Sequence, residues 1–100
     1  MEIYIYMLEY EVGEIVISRA GHDKGEHFVI VKSDSEYVYL VDGIFRTVDK
    51  PKKKNKKHVQ LIHFKTDNLI KKCAKNDKMI NEEIKRAIKM FKDLNPKSWR

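Results

Sequence analysis

The residues whose type and spacing could do chemistry are concentrated in Lys50-Pro51-Lys52-Lys53-Lys54-Asn55-Lys56-Lys57, which holds six cations in eight positions. A lysine ammonium is a compact point charge without the bidentate fork of arginine. A run of lysines therefore suits phosphate backbone better than base edges. Like charges confined to one segment repel, and a bound polyanion would relieve that repulsion. Pro51 stiffens one end and lowers the ordering cost of binding. A plain solvated loop has the same composition, so the layout of charge along the chain has to decide. Residues 1–49 sum to −6, the lysine run to +6 and residues 58–100 to +6, for a total of +6. An acidic first half followed by a basic second half predicts a directed electrostatic face and a polyanionic partner. Contacts from four to six of these lysines to phosphate would give a log-affinity against log-salt slope of about −3 to −5.

Other candidate chemistry is weaker. In Arg19-Ala20-Gly21-His22-Asp23-Lys24-Gly25, two glycines allow sharp turns and leave backbone N–H groups open, with Lys24 at the tip. The full glycine-lysine-serine pattern of a phosphate-binding P-loop is missing. His22 and His27 are five apart, as are His58 and His63, so in strands each pair falls on opposite faces. No Cys-x-x-Cys accompanies them, and zinc ligation is not expected. Cys73 reads as a small apolar side chain rather than a nucleophile, because nothing marks a partner base. There are no paired carboxylates and no nucleophile–base set. No catalytic residue, metal or cofactor is expected, and the chain does not read as an enzyme.

These residues must be positioned by a small scaffold. The 100 residues allow a single modest core. Strands are predicted over Val12–Ser18, His27–Lys32, Tyr37–Val41, Ile44–Val48 and His58–Phe64, with Lys50–Lys57 as a loop between the last two. Asp42-Gly43 is a strong turn signal. Five short strands within such a length fit a closed β-barrel, which leaves no exposed edge. Most of Phe28, Tyr37, Tyr39, Phe45 and Phe64 should fill that barrel, and Tyr37 and Tyr39, on one strand face, are the best stacking candidates. After Thr66-Asp67 the pattern turns helical, with Leu69, Ile70, Cys73 and Ala74 on one face. Asn76-Asp77 interrupts it. A second helix starts at Asn81, with Glu82 and Glu83 favourably in its first turn. Ile84, Ala87, Ile88 and Phe91 form its apolar stripe, and Pro96 ends it, leaving Trp99 in a frayed tail. The stripe should pack on the barrel. Residues 1–10 read as an extension or edge strand, with Met1 and Met7 both usable as starts. Residues 11–65 are the barrel and 66–95 the helical segment.

The segment from Val12 to Val31, a strand entering the loop around Gly21 and then the hydrophobic strand after Gly25, resembles a KOW motif. Val38-Tyr39-Leu40-Val41-Asp42-Gly43, then Arg46, then the basic stretch ending in Lys57-His58-Val59, is similar to the eukaryotic and archaeal ribosomal protein family called fourteen-e. It is closer still to the small bacterial KOW-domain RNA-binding proteins related to that family. The resemblance covers about residues 11–64. It implies a mainly β fold, an SH3-like barrel that binds structured, ribosomal RNA. Gly21 matches the motif glycine, Asp42 and Gly43 the turn, and Arg46, Lys57 and His58 the basic positions. Glu26 departs from it, standing where a basic residue is common, and the C-terminal helices lie outside the motif.

The expected function is RNA binding in translation or ribosome assembly. Arg19, Lys24, Arg46, Lys50, Lys52, Lys53, Lys54, Lys56, Lys57 and His58 form the phosphate-contacting face, and Gly21, Gly25, Asp42 and Gly43 form its turns. Replacing Lys52, Lys53 and Lys54 together should weaken binding without unfolding the protein. The rival reading is an adaptor for ribosomal or transcription proteins. No stretch approaches the roughly 20 apolar residues of a membrane span. Met1–Leu8 lacks the basic flank of a signal peptide, and one cysteine suits a reducing cytoplasm.

Overall fold

Alternation of side chains along extended backbone builds the fold, seen here in a computed structural model that describes residues 10–75 and 77–95. The strands are β1 (Ile15–Ser18), β2 (His27–Ser33), β3 (Tyr37–Val41), β4 (Lys52–Asn55) and β5 (Val59–Leu61), followed by helices α1 (Asp67–Ala74) and α2 (Asn81–Leu94). The strands form one antiparallel sheet in the order β4-β3-β2-β1-β5. Val16, Phe28, Ile30, Val38, Leu40 and Val59 pack with Tyr10 in one layer. The alternate positions Ile15, Val29 and Val41 point the other way and meet Leu69, Ile84, Ala87, Ile88 and Phe91. Both faces of the sheet are thus buried, one inside the curl of the sheet and one beneath the helices.

The curl follows from one contact. In a flat sheet β4 and β1 would stand three strand spacings apart, about 14 Å. Yet the Lys54 ammonium on β4 donates to Ser18 Oγ at the end of β1, at 2.8 Å. The sheet must roll strongly for a lysine stem to span that gap. A short 3-10 turn, Lys56–His58, carries the chain from one sheet edge to the other. Its ends are tied by Lys56 N–H donating to the Glu36 carbonyl and Arg19 N–H to the His58 carbonyl. Among the described residues no ladder joins β4 to β5, so the sheet is rolled but not closed by strand pairing.

Several expectations change. The lysine run is not a loop: Lys52–Asn55 is the edge strand β4, paired residue for residue with Tyr37–Leu40. Ile44–Val48, expected as the fourth strand, is irregular. Its local hydrogen bonds close within the segment, because Ile44 and Arg46 N–H donate to the Asp42 carboxylate while Asp42 and Gly43 N–H donate to the Arg46 carbonyl. A β-branched and aromatic composition lost to turn chemistry. The first and last strands are shorter than their apolar patterns, and Phe45 is exposed rather than in the core. On α1 only Leu69 is buried; Cys73 is half-buried, and Ile70 and Ala74 are exposed. Residues 1–9, Asn76 and residues 96–100 lie outside the described residues. So do the expectations about residues 1–9, the break at Asn76 and the role of Pro96 and Trp99, whereas Tyr10, expected in the extension, is buried in the sheet core.

Of Thr66 and Asp67, either of which could cap helix α1, Thr66 does so, its Oγ1 accepting from Leu69 N–H at 3.3 Å. The α2 stripe of Ile84, Ala87, Ile88 and Phe91 is buried against the sheet. Asn81 ties α2 to the preceding segment, its Oδ1 accepting from Val48 N–H at 2.9 Å. Gly43 makes this docking possible. It sits at φ +83, and a Cβ there would lie 2.5 Å from the Asn81 carbonyl oxygen. Gly43→Ala should therefore cost about 2 to 3 kcal/mol in a denaturation measurement, from backbone strain and the clash together. An unchanged midpoint would mean that the turn and α2 are not in contact.

Candidate functional site

Antiparallel register decides which loops share an end of a sheet. Ile17 pairs with His27, Val29 with Val41, Leu40 with Lys52 and Ser18 with Val59. The end of β1, the start of β2, the end of β3 and the starts of β4 and β5 therefore lie together. This one end carries the Arg19–Glu26 loop, the Asp42–Arg46 turn, Lys50 and His58, whose carbonyl accepts from Arg19 N–H; Lys57 lies on the 3-10 turn, its N–H donating to Asn55 Oδ1. Arg19, Lys24, Arg46, Lys50 and His58, spread over forty positions of sequence, are all exposed there, and Lys57 is exposed on the adjoining 3-10 turn.

The loop is held by a charge network. Lys54 Nζ donates to the Ala20 carbonyl at 2.7 Å and to Asp23 Oδ1 at 2.5 Å. Ser18 Oγ donates to the same carboxylate oxygen at 2.6 Å. Lys52 takes the other oxygen in an ion pair at 2.6 Å. Burial alone would push the Asp23 carboxyl up, but hydrogen bonds from Lys52, Lys54 and Ser18 outweigh it and hold it well below the usual carboxylate range. Gly21 and Gly25 both adopt positive φ, which lets the loop fold back onto Asp23.

The six lysines thus divide by strand geometry. Lys52 and Lys54, two apart on β4, point to the Asp23 side and are committed to it. Lys53 points the opposite way and lies 4.2 Å from the centroid of the Tyr37 ring. Lys56 is 1 % exposed, 5.1 Å from the Tyr10 ring, and burial pushes its pKa down while Asp34 works weakly against that. As placed, it cannot reach a phosphate. The cations open at this end are Lys50 from the run and Arg19, Lys24 and Arg46 from outside it, and Lys57 is exposed on the 3-10 turn. Removing Lys52, Lys53 and Lys54 together would strip Asp23 of its partners, so the expectation that this triple change spares folding is withdrawn. The stacking candidates change too. Lys32 lies 5.1 Å from the Tyr39 ring, and with Lys53 it covers the tyrosine pair expected to meet bases.

Asp23 was missed as a functional residue, because a lone acid in a loop has no pattern; six lysines without a nearby counter-charge were the available hint. The exposed ring of Phe45 was also missed, and its flanks, Asp42-Gly43 and Arg46, were the signal that it sat on a turn rather than a strand. Among the described residues no group of three or more His, Cys, Asp or Glu could hold a metal ion, and no helix is long and apolar enough to cross a membrane. No protein-family model matches the chain, and no curated protein matches it.

Proposed function

We propose that this protein binds structured RNA, ribosomal RNA in particular, through the basic end of an SH3-like barrel, in translation or ribosome assembly. The observation that carries the reading is the gathering of Arg19, Lys24, Arg46, Lys50 and His58 at one end of the sheet by strand register, with Lys57 exposed on the 3-10 turn that leads to His58. Nothing in core packing requires these exposed residues to be cationic. The strand order, the strong roll and the 3-10 turn between the edge strands support the SH3-like assignment. The resemblance of residues 11–64 to KOW-domain proteins supports the ligand. Lysine and arginine on irregular segments suit a phosphate path more than base identity, so backbone and shape recognition dominate.

Replacing Lys24, Lys50 and Lys57 together by alanine should weaken binding to a structured RNA. It should also reduce the magnitude of the salt slope by about 2 to 3, since each phosphate contact contributes about 0.9 on a duplex. All three side chains are exposed, so the thermal midpoint should stay in place. Equal affinity and equal slope for variant and parent, measured by titration across a salt series, would overturn the proposal.

A further inference from the structure

We propose that Phe45 is a stacking platform for an unpaired RNA base, seated in the groove between the Asp42–Arg46 turn and the Arg19–Glu26 loop. This rests on the RNA-binding reading above and sharpens it, from phosphate recognition to recognition of a bulged or looped nucleotide.

Phe45 is 88 % exposed, the most exposed of the large apolar side chains among the described residues. Slack backbone does not explain this. The turn is closed by N–H groups of Ile44 and Arg46 on the Asp42 carboxylate, at 2.8 and 2.9 Å. It is closed again by N–H groups of Asp42 and Gly43 on the Arg46 carbonyl, at 2.9 and 3.0 Å. Gly43 is pressed against the start of α2. The ring is presented on fixed backbone, which lowers the ordering cost of a contact.

The surroundings select the occupant. Phe45 lines a groove of about 290 Å³ with His22, Glu26, Phe28, Arg46 and Lys52. An aromatic ring and a guanidinium are both planar stacking partners for a base, and Arg46 also carries charge for the flanking phosphate. Asp23, on the same wall, is already neutralised by Lys52 and Lys54. Glu26 remains as an exposed acceptor at a position that would repel phosphate. A base edge bearing an exocyclic amine answers it, as carboxylates do with cytosine N4. Bases inside an RNA duplex are stacked and out of reach in a deep, narrow groove, so the platform fits an unpaired one.

The test uses the full chain and three labelled RNAs: a perfect duplex, the same duplex with one bulged cytidine, and the same with one bulged uridine. The parent should bind the bulged cytidine about tenfold tighter than the perfect duplex, the scale of one stacked base. Phe45→Leu should abolish that preference while leaving the salt slope unchanged, because no charge is lost. Phe45→Tyr, which keeps the ring, should retain it. Glu26→Ala should level cytidine with uridine. If Phe45→Leu keeps the preference, or the parent shows none, the stacking proposal is overturned while phosphate binding stands, and the exposed ring is better assigned to a protein contact. If the parent binds none of the three RNAs at low salt, both proposals fall.

Discussion

Replacing Asp23 by alanine is expected to lower the unfolding free energy by about 3 kcal/mol, because it leaves two lysines facing each other without their counter-charge. For a domain of this size that corresponds to a fall in the thermal midpoint of roughly 12 to 24 °C. The side chains of Lys54 and Asp23 are 9 % and 13 % exposed, so water replaces little of the lost interaction. Adding Lys54→Met to the Asp23 variant should recover part of the loss, since an apolar stem of similar length removes the stranded charge. A single variant as stable as the parent in a thermal melt would mean that the network does not hold the loop. The same group sets an acid limit. Its folded pKa is depressed, so the unfolded chain binds the proton first. The stabilisation is complete above the ordinary carboxylate pKa and drains away as pH falls below it.

The second large effect lies on the opposite face of the sheet. Phe91→Ala should cost about 3 to 5 kcal/mol, the range for truncating a buried phenylalanine. Phe91 is 4 % exposed and meets the Phe64 ring edge-on, with centroids 5.3 Å apart. It also lies 5.7 Å from the His27 ring. His27 is held down at about pH 4, mainly by burial and secondarily by Lys92, against a hydrogen bond to the Gly25 backbone. Because the unfolded imidazole takes its proton near 6.5, the parent should lose stability as pH falls from about 6.5 toward 4, before Asp23 begins to titrate. Opening the site by Phe91→Ala should raise the His27 pKa toward its ordinary value, which ring-proton titration by NMR would follow. If the pKa stays near 4, Phe91 is not what keeps water from His27.

Much of this scaffold was legible in local pattern. Tyr37–Val41 was found with its correct ends, and His27–Lys32 to within one residue, because alternation around Phe28, Ile30, Val38 and Leu40 is a local property. Thr66-Asp67 and Asn81 marked the helix starts for equally local reasons. The failures share a different cause. Lys52–Asn55 is a strand because Tyr37–Leu40 offers it a ladder and Asp23, some thirty residues away, neutralises two of its charges. Propensity argues against lysine in strands, and only a tertiary partner overrides it. Ile44–Val48 failed in the opposite sense, having strand composition but an aspartate able to satisfy the turn's own N–H groups. The basic end could not be assembled from spacing either, since strand register, not proximity in sequence, brings Arg19 to His58. Of the ten residues expected to contact phosphate, Arg19, Lys24, Arg46, Lys50, Lys57 and His58 are exposed, while Lys52 and Lys54 pair with Asp23, Lys53 lies over Tyr37 and Lys56 is buried.

The position of β4 at the rim of the sheet has one more consequence. An outermost strand displays unpaired backbone donors and acceptors, a template on which another copy could extend the sheet and begin a fibril. Among the described residues no strand pairs with this edge, and it is written as Lys-Lys-Lys-Asn, so an incoming identical strand would bring more lysines to charges that the single carboxylate of Asp23 balances only in part. Lysine on an exposed edge is a general device against edge-to-edge pairing, and the composition of this strand fits it.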